Sequence, residues 1–241
     1  MGVLYYAGLI PCLMAASVAY LIASLFGVSP TRFAVTLPAL DVWTVFLVVL
    51  LAIGCALVSI LFVRGMHWVE HMAVRFLKNS YLRAAAGGFA IIGLTLLLGR
   101  DYNGAGMDVI ARAVEQGEAA PWAWFLKILF TALTIGCGFK GGEIVPTLFV
   151  GSTFGCAAGA LLGLPAGFAA ALGITGLFCG MTNCPLTSLL ISVELFGADG
   201  LLCYAVVCAV SYVCSGYRGL YSSQTILYSK LRAEFINVHT K

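Results

Sequence analysis

Residues 138–146 read Gly-Phe-Lys-Gly-Gly-Glu-Ile-Val-Pro, and they lie in the middle of a very apolar chain. The segment combines two adjacent glycines, a carboxylate and a proline of the kind that is favoured at the start of a helix. Ionisable residues at membrane depth are costly, and where they occur they usually serve a function. We therefore expect the functional site to be built around Glu143.

The composition is that of an integral membrane protein. Of the 241 residues, 61% are hydrophobic and only 10% are charged, and the mean hydropathy is +1.02. A soluble domain carries about 25% charged residues. The net charge of +3, without a basic tail, gives no indication of nucleic-acid binding. The nine cysteines include no CxxC pair and are interpreted as small buried hydrophobic residues.

Apolar runs separated by turn residues predict a series of transmembrane helices. The expected helices cover about residues 3–26, 41–79, 82–98, a short segment before 118, 121–136, 146–163, 166–180, 185–196 and 201–214. A final, more polar helix is expected to carry Lys230, Arg232 and Glu234, and Asn183 is expected to cap the helix that Pro185 begins. Helices broken by Gly or Pro are typical of transporters and channels, which place irregular backbone at the membrane midplane. The predicted fold class is therefore an all-α polytopic membrane protein.

Basic side chains recur at steps of three and four along the far end of the second predicted helix. They are Arg64, His67, His71, Arg75 and Lys78. This spacing places them on one helical face, and the positive-inside tendency assigns that end of the helix to the cytoplasm. We expect a multi-pass protein of the cell inner (plasma) membrane, in contact with membrane lipid.

The same helix contains a pattern that favours a different function. Residues 67–71 read His-Trp-Val-Glu-His, which matches the HxxEH pattern of inverted zinc peptidases. Such an enzyme needs a further acidic ligand, and only the distant Glu115, Glu118 and Glu143 are available. The basic face explains both histidines without a metal, so a zinc peptidase and an inert membrane scaffold remain alternatives. No metal, cofactor or enzymatic activity is expected.

Four glycines at steps of four follow Pro146. They are Gly151, Gly155, Gly159 and Gly163, and they form a flat stripe that lets another helix approach closely. We expect this stripe to serve packing.

A helix that begins inside a membrane directs several unpaired backbone N–H groups to one point, with the positive end of its dipole behind them. This arrangement binds anions. Gly141 and Gly142 have no side chains to block a small ion, and the amides of Ile144 and Val145 are the candidate donors. The segment is therefore predicted to hold an anion.

Two interpretations of Glu143 stay open. It is either a carboxylate that caps the helix and is stabilised by the helix dipole, or a group that takes up and releases a proton or contacts the ion. Lys140 is either its salt-bridge partner or a cation that attracts anions.

Residues 142–151, Gly-Glu-Ile-Val-Pro-Thr-Leu-Phe-Val-Gly, resemble the GxxxP anion-binding motif of the CLC family of chloride channels and anion/proton antiporters. Residues 216–222 resemble the turn before the last membrane helix of that family, whose tyrosine faces the central anion site, which implies that Tyr221 is a second contact. Residues 180–187 are similar to the run between its late helices. A glutamate after paired glycines is similar to the fluoride/proton-exchanging branch. Val145 stands where compared members have threonine, so chloride and fluoride both remain open as substrates.

The resemblance implies the second half of an inverted repeat. Residues 1–26 correspond to the last helix of the first repeat and residues 27–241 to the second repeat. The GREG-type loop of the family's first half is not found, so we expect a fragment, a truncated reading frame or one part of a split protein. The resemblance also implies a homodimer, with contacts from the first helix and from residues 186–214, and protons as a second transported species.

Overall fold

The computed structural model describes residues 6–28, 30–221, 223–232 and 234–240. Its α-helices are α1 (Tyr6–Leu25), α2 (Val42–Phe76), α3 (Ser80–Leu98), α4 (Met107–Ala111), α5 (Ala123–Gly136), α6 (Ile144–Leu162), α7 (Ala166–Thr182), α8 (Pro185–Phe196) and α9 (Leu201–Cys214). A π-helical turn, Arg112–Gln116, continues α4, and the strands β1 (Thr225–Tyr228) and β2 (Phe235–His239) pair antiparallel. The predicted start of the first helix at Val3, and Ser222 of the tyrosine turn, lie outside the described residues.

The apolar helices fall into a long group and a short group. In the described part of the chain, α1, α2, α3 and α6 are long and apolar enough to cross a membrane. The helices α5, α7, α8 and α9 are also apolar but have only 10–17 residues. Short apolar helices joined by turns confirm the predicted interrupted pattern and the all-α polytopic fold class.

Helix α2 packs against α5, α6, α7 and α9. Asp41 precedes it, and its carboxylate accepts a hydrogen bond of 2.8 Å from the N–H of Thr44, which caps the helix. The first two thirds of α2 bury one face, including Leu51 and Phe62, against α5, α7 and α9. The last third, which carries the basic residues, is mostly exposed. The cationic end of α2 therefore lies at the edge of the bundle.

The glycine stripe forms the tightest helix contact. A Cβ on Gly151 would lie 2.7 Å from the carbonyl oxygen of Gly173, and one on Gly155 would overlap the carbonyl oxygen of Ala169. The packing role predicted for the stripe is confirmed for Gly151, Gly155 and Gly159, which face α7. Gly163 is different because no heavy atom lies within 4 Å of its Cβ position. It follows the last residue of α6 and adopts φ +76°.

Two helices and three cysteines are left uncovered. No residue of the apolar α1 window is buried within the described structure, and only 6% of the α3 window is. Six of the nine cysteines are buried as predicted, but Cys12, Cys184 and Cys214 are exposed. The interpretation of every cysteine as a buried residue is therefore wrong for these three, which lie on uncovered surfaces or in turns.

The predicted final helix is wrong, because the segment forms the β1–β2 hairpin. Thr225–Tyr228 is rich in β-branched and aromatic residues, which suit a strand better than a helix. Lys230 lies between the strands and donates hydrogen bonds to the carbonyl oxygen of Tyr212 (2.7 Å) and to Ser215 Oγ (3.2 Å). Strand pairing and the contacts of Lys230 outweigh the helical spacing of the charged residues.

Asn183 does not cap α8. It ends α7 in a left-handed conformation, with φ 56°, and α8 begins after Cys184 without a side-chain cap. The Asn183 side chain instead donates from Nδ2 to the carbonyl oxygen of Arg218 (2.8 Å) and accepts from Lys230. The Asn183 side chain is not available to cap α8 because it bonds to Arg218 and Lys230 and so holds the turn after α9.

Candidate functional site

The candidate site lies at the turn between α5 and α6. Gly138 adopts φ +98°, a left-handed conformation that favours glycine, and its N–H donates to the carbonyl oxygen of Ile135 (2.9 Å). The N–H of Phe139 donates to the carbonyl oxygen of Thr134 (3.2 Å). These bonds close the end of α5, and α6 starts at Ile144 after an irregular segment. The predicted break in the helical chain is confirmed.

Gly141 and Gly142 stand beside open space. A Cβ built on either residue would have no heavy atom within 4 Å, and neither residue is in the left-handed region. Neither packing nor backbone conformation therefore requires glycine at these positions. Ile144 and Val145 are the first two residues of α6, where an N–H has no helical acceptor before it. The turn exposes backbone polar groups that no side chain covers.

An open cavity of about 550 Å³ lies against the turn. Its walls come from the loop before α4, from Ile91 of α3, from the inner side of α5, from the turn and from the start of α6. The turn and the start of α6 contribute Phe139, Lys140, Gly141, Gly142, Val145 and Pro146. The structure thus brings three of the predicted site residues, Gly141, Gly142 and Val145, and the flanking Lys140 to one concave surface, and Ile144 is not among the residues that line it.

Lys127 fixes the wall of this cavity. It lies within α5, is only 2% exposed, and its Nζ donates to the carbonyl oxygens of Tyr102 (3.0 Å) and Gly104 (2.6 Å). The ammonium also lies 4.7 Å from the centre of the Phe149 ring. These contacts tie the loop before α4 to α5 and α6. Lys127 was not among the residues predicted for the site, although a lysine inside an apolar helix is a signal that could have identified it.

Glu143 faces a second, smaller cavity. It occupies the N-cap position of α6, but its side chain makes no capping hydrogen bond. Its backbone carbonyl accepts from both the N–H (3.1 Å) and the hydroxyl (2.7 Å) of Thr147. Glu143 is therefore at the position expected for a carboxylate stabilised by the helix dipole but forms no capping hydrogen bond, and it lines a cavity of about 40 Å³ that His67 and Glu70 also line.

Lys140 and Glu143 point to different cavities. Lys140 lines the larger one and Glu143 the smaller one. Between described residues the ion pairs are His67 with Glu70 and Arg112 with Asp101, so no salt bridge joins Lys140 to Glu143. This result favours the second interpretation of Lys140, a cation beside the open cavity.

The turn that carries Tyr221 lies next to Glu143. The N–H of Leu220 donates to the carbonyl oxygen of Met181 (2.9 Å), and Leu220 lines the same small cavity as Glu143. The carbonyl oxygen of Tyr221 accepts from Thr240 Oγ1 (2.6 Å), so the hairpin also holds this turn. Tyr221 itself is 45% exposed. The two segments of the predicted site are adjacent although 77 residues of sequence separate Glu143 from Leu220.

The HxxEH residues do not assemble a metal site. Across the described ranges, no group of three or more His, Cys, Asp and Glu side chains is arranged to hold a metal ion. His67 and Glu70 face Glu143, whereas His71 is exposed on the same helix and does not line the cavity.

Comparison with known proteins gives consistent matches. A family model described as "Voltage gated chloride channel" matches residues 2–216. The chain is 34% identical over 237 residues to a chloride/fluoride channel protein of Pseudomonas syringae pv. tomato, covering 95% of this chain and 52% of the relative. It is 29% identical over 139 residues to an H(+)/Cl(−) exchange transporter of Vibrio cholerae, covering 52% of this chain and 30% of the relative.

A solved structure gives the same result. The fold is similar to the crystal structure of a CLC-type fluoride/proton antiporter, with a TM-score of 0.85 and 28% identity, covering 92% of this chain and 56% of that one. The chain spans about half the length of the relatives it matches over most of its own length. The zinc peptidase alternative has no support among these matches.

Proposed function

The chain belongs to the CLC family of voltage-gated chloride channels, and on that premise we propose that it forms one half of a pathway for small halide anions across a membrane. The transported ion is chloride or fluoride, and the mechanism is that of a channel or of an anion/proton antiporter. The relatives are named as a chloride/fluoride channel, a chloride/proton exchanger and a fluoride/proton antiporter, which supports both mechanisms. This function involves no enzymatic reaction.

One observation carries the proposal. The N-terminus of α6 opens at a turn whose two glycines face free space, next to a cavity of about 550 Å³. Unpaired N–H groups and the helix dipole favour an anion at such a position. We assign the anion contacts to Gly141, Gly142, Glu143, Ile144 and Val145. Lys140, which lines the same cavity, adds positive charge there.

Glu143 is assigned the proton-carrying role. Its side chain is free of the capping bond that would otherwise account for it, and it is half-buried beside other titratable groups. A neighbouring anion disfavours the charged form of a carboxylate, so Glu143 binds a proton when the anion arrives and releases it when the anion leaves, which links proton binding to halide binding. Tyr221 is assigned as a second anion contact on the resemblance of residues 216–222 to the family's tyrosine turn, and the adjacent Leu220 lies beside Glu143 at the smaller cavity.

The repeats, the homodimer contact and the membrane orientation are assigned from the family resemblance. Residues 1–26 supply the last helix of a first repeat, and residues 27–241 supply the second repeat. The uncovered apolar surface of α1 fits a homodimer contact, as do the exposed positions of α8 and α9. The basic end of α2 fits a cytoplasmic orientation in the cell inner membrane, surrounded by lipid.

Efflux from proteoliposomes tests the proposal. The 241-residue chain is reconstituted alone and together with the complementary half of the Pseudomonas relative, and chloride and fluoride release are followed with ion-selective electrodes. We expect halide release in at least the second preparation, with proton movement that the Glu143→Gln variant lacks. The Glu115→Gln variant, which changes an acidic residue that lines neither cavity, is the matched control. Absence of halide release from both preparations would contradict the proposed function.

A further inference from the structure

Three titratable side chains meet at the small cavity behind the turn. Glu143 comes from the start of α6, and His67 and Glu70 come from the last third of α2. The other lining residues, Val63, Met66, Ile135, Gly136 and Leu220, carry no titratable side chain. A proton that leaves Glu143 into this cavity therefore meets an imidazole and a second carboxylate.

The cavity has room for a bridging water. Its volume is about 40 Å³. A site needs roughly 10–15 Å³ and two or more polar partners to hold one water molecule, and three polar side chains are present. The wall is closed by a close helix contact, because a Cβ on Gly136 would lie 2.9 Å from Val69 Cγ1 and 3.0 Å from the N of Glu70. The absence of a side chain at Gly136 lets α5 approach α2 closely beside the cavity.

The three groups form a sequence from inside to outside. Glu143 is half-buried, whereas the side chain of His67 is 43% exposed and that of Glu70 is 63% exposed. His67 Nδ1 lies 4.0 Å from Glu70 Oε2, which is close but longer than a hydrogen bond. An imidazole can accept a proton at one ring nitrogen and release one from the other, which is the behaviour a relay requires.

We propose that His67 and Glu70 carry protons between Glu143 and the end of α2 that bears the basic residues. This inference rests on the proposed function, since it extends the role of Glu143 as the proton carrier. The O–H bond of the protonated Glu143 breaks as its proton passes to the cavity water, and that water gives a proton to one nitrogen of His67. The imidazolium then releases its other proton to the Glu70 carboxylate, and Glu70 passes it to bulk water. Glu143 is left as a carboxylate and His67 returns to the neutral form.

The route gives the HxxEH pattern a function that does not involve a metal. His67 and Glu70 are separated by one helical turn and lie on the side of α2 that faces Glu143. His71 is also exposed, but it is not part of the cavity wall. The chain therefore supplies its own control, a histidine of the same helix outside the route.

Paired proton and halide fluxes test the inference. The His67→Gln, Glu70→Gln and His71→Gln variants are reconstituted in the preparation that releases halide, with a pH indicator and a halide electrode read together. We expect the number of protons moved per halide to fall roughly tenfold or more for His67→Gln and Glu70→Gln, and to stay unchanged for His71→Gln. His67 and Glu70 are exposed, so these substitutions are expected to leave the unfolding temperature unchanged.

Chemical rescue separates proton transfer from a structural effect. Imidazole added to the His67→Ala variant is expected to restore proton movement, because the small base can occupy the space of the side chain and exchange protons there. A proton-to-halide ratio that stays normal in His67→Gln and Glu70→Gln would overturn the relay and leave the proposed function intact. Halide release without proton movement in the unmodified protein would contradict both the relay and the proton role of Glu143.

Discussion

The glycines of the α6–α7 contact and the glycines of the turn before α6 occupy opposite environments. At Gly151 and Gly155 the backbone of α7 fills the space that a side chain would need. At Gly141 and Gly142 that space is empty, and no unusual backbone conformation is present. The first pair is required by packing, whereas packing does not require the second pair, which belongs to the proposed site. The difference separates residues that build the fold from residues of the proposed site.

The largest effect is expected in the packed region. Gly155→Ala inserts a methyl group into the carbonyl oxygen of Ala169, and overpacking of this kind lowers the free energy of unfolding by about 1–3 kcal/mol. Thermal unfolding in detergent measures the change. Gly93→Ala in α3 is the control, since nothing lies within 4 Å of its Cβ position. Equal unfolding temperatures for the two variants would show that α6 and α7 can separate without cost.

The open region should respond in activity and leave stability unchanged. Gly142→Val fills the space before α6 without a backbone clash, so the unfolding temperature is expected to stay at the unmodified value. Halide flux is expected to fall roughly tenfold, which corresponds to about 1.4 kcal/mol. A variant that unfolds at lower temperature but transports normally would reverse the assignment of this glycine.

Lys230 tests whether the Tyr221 turn belongs to the fold or to the site. Lys230→Met removes donors to Asn183, Tyr212 and Ser215, and it is expected to cost about 1 kcal/mol in unfolding free energy. The exposed Arg232→Met is the matched control from the same hairpin. A loss of halide flux at a temperature where the Lys230→Met variant is still folded would show that the contacts of Lys230 serve the site and not only the fold.

The same lysine predicts a dependence on pH. Burial lowers the pKa of Lys230 to about 8, whereas an unfolded lysine has a pKa of about 10.4. Between these values the unfolded state binds more protons than the folded state, so the contribution of Lys230 to stability rises with pH over this interval. Unfolding temperatures of the unmodified protein and of Lys230→Met are therefore expected to diverge from pH 8 to pH 10. A constant difference would contradict the burial of the ammonium group.

The smallest effect concerns selectivity. Val145→Thr adds one hydroxyl at the larger cavity without a large change in volume. One added hydrogen bond contributes about 0.5–1.5 kcal/mol, so the ratio of fluoride to chloride flux is expected to rise a few-fold. Val145→Ala is the control for the change of shape alone. An equal shift in both variants would show that the hydroxyl does not contact the ion.

Local patterns were sufficient to predict the helices and the turn, but not the contacts between distant segments. The apolar runs and the Gly-rich break before Ile144 predicted the interrupted bundle because helix length and helix breakers act locally. The hairpin was missed because Lys230 is held by Asn183 and Tyr212, which lie far away in the chain. The neighbours of Glu143 were missed for the same reason, since His67 and Glu70 were assigned only to a basic helical face.

Halide binding to the turn tests the account most directly. Isothermal titration of fluoride and of chloride into the chain reconstituted with its complementary half compares the unmodified protein with the Gly142→Val variant. We expect saturable halide binding in the unmodified protein and its loss in Gly142→Val, with the same unfolding temperature for both. Equal halide binding by the two proteins would contradict the assignment of the open glycine turn as the anion site.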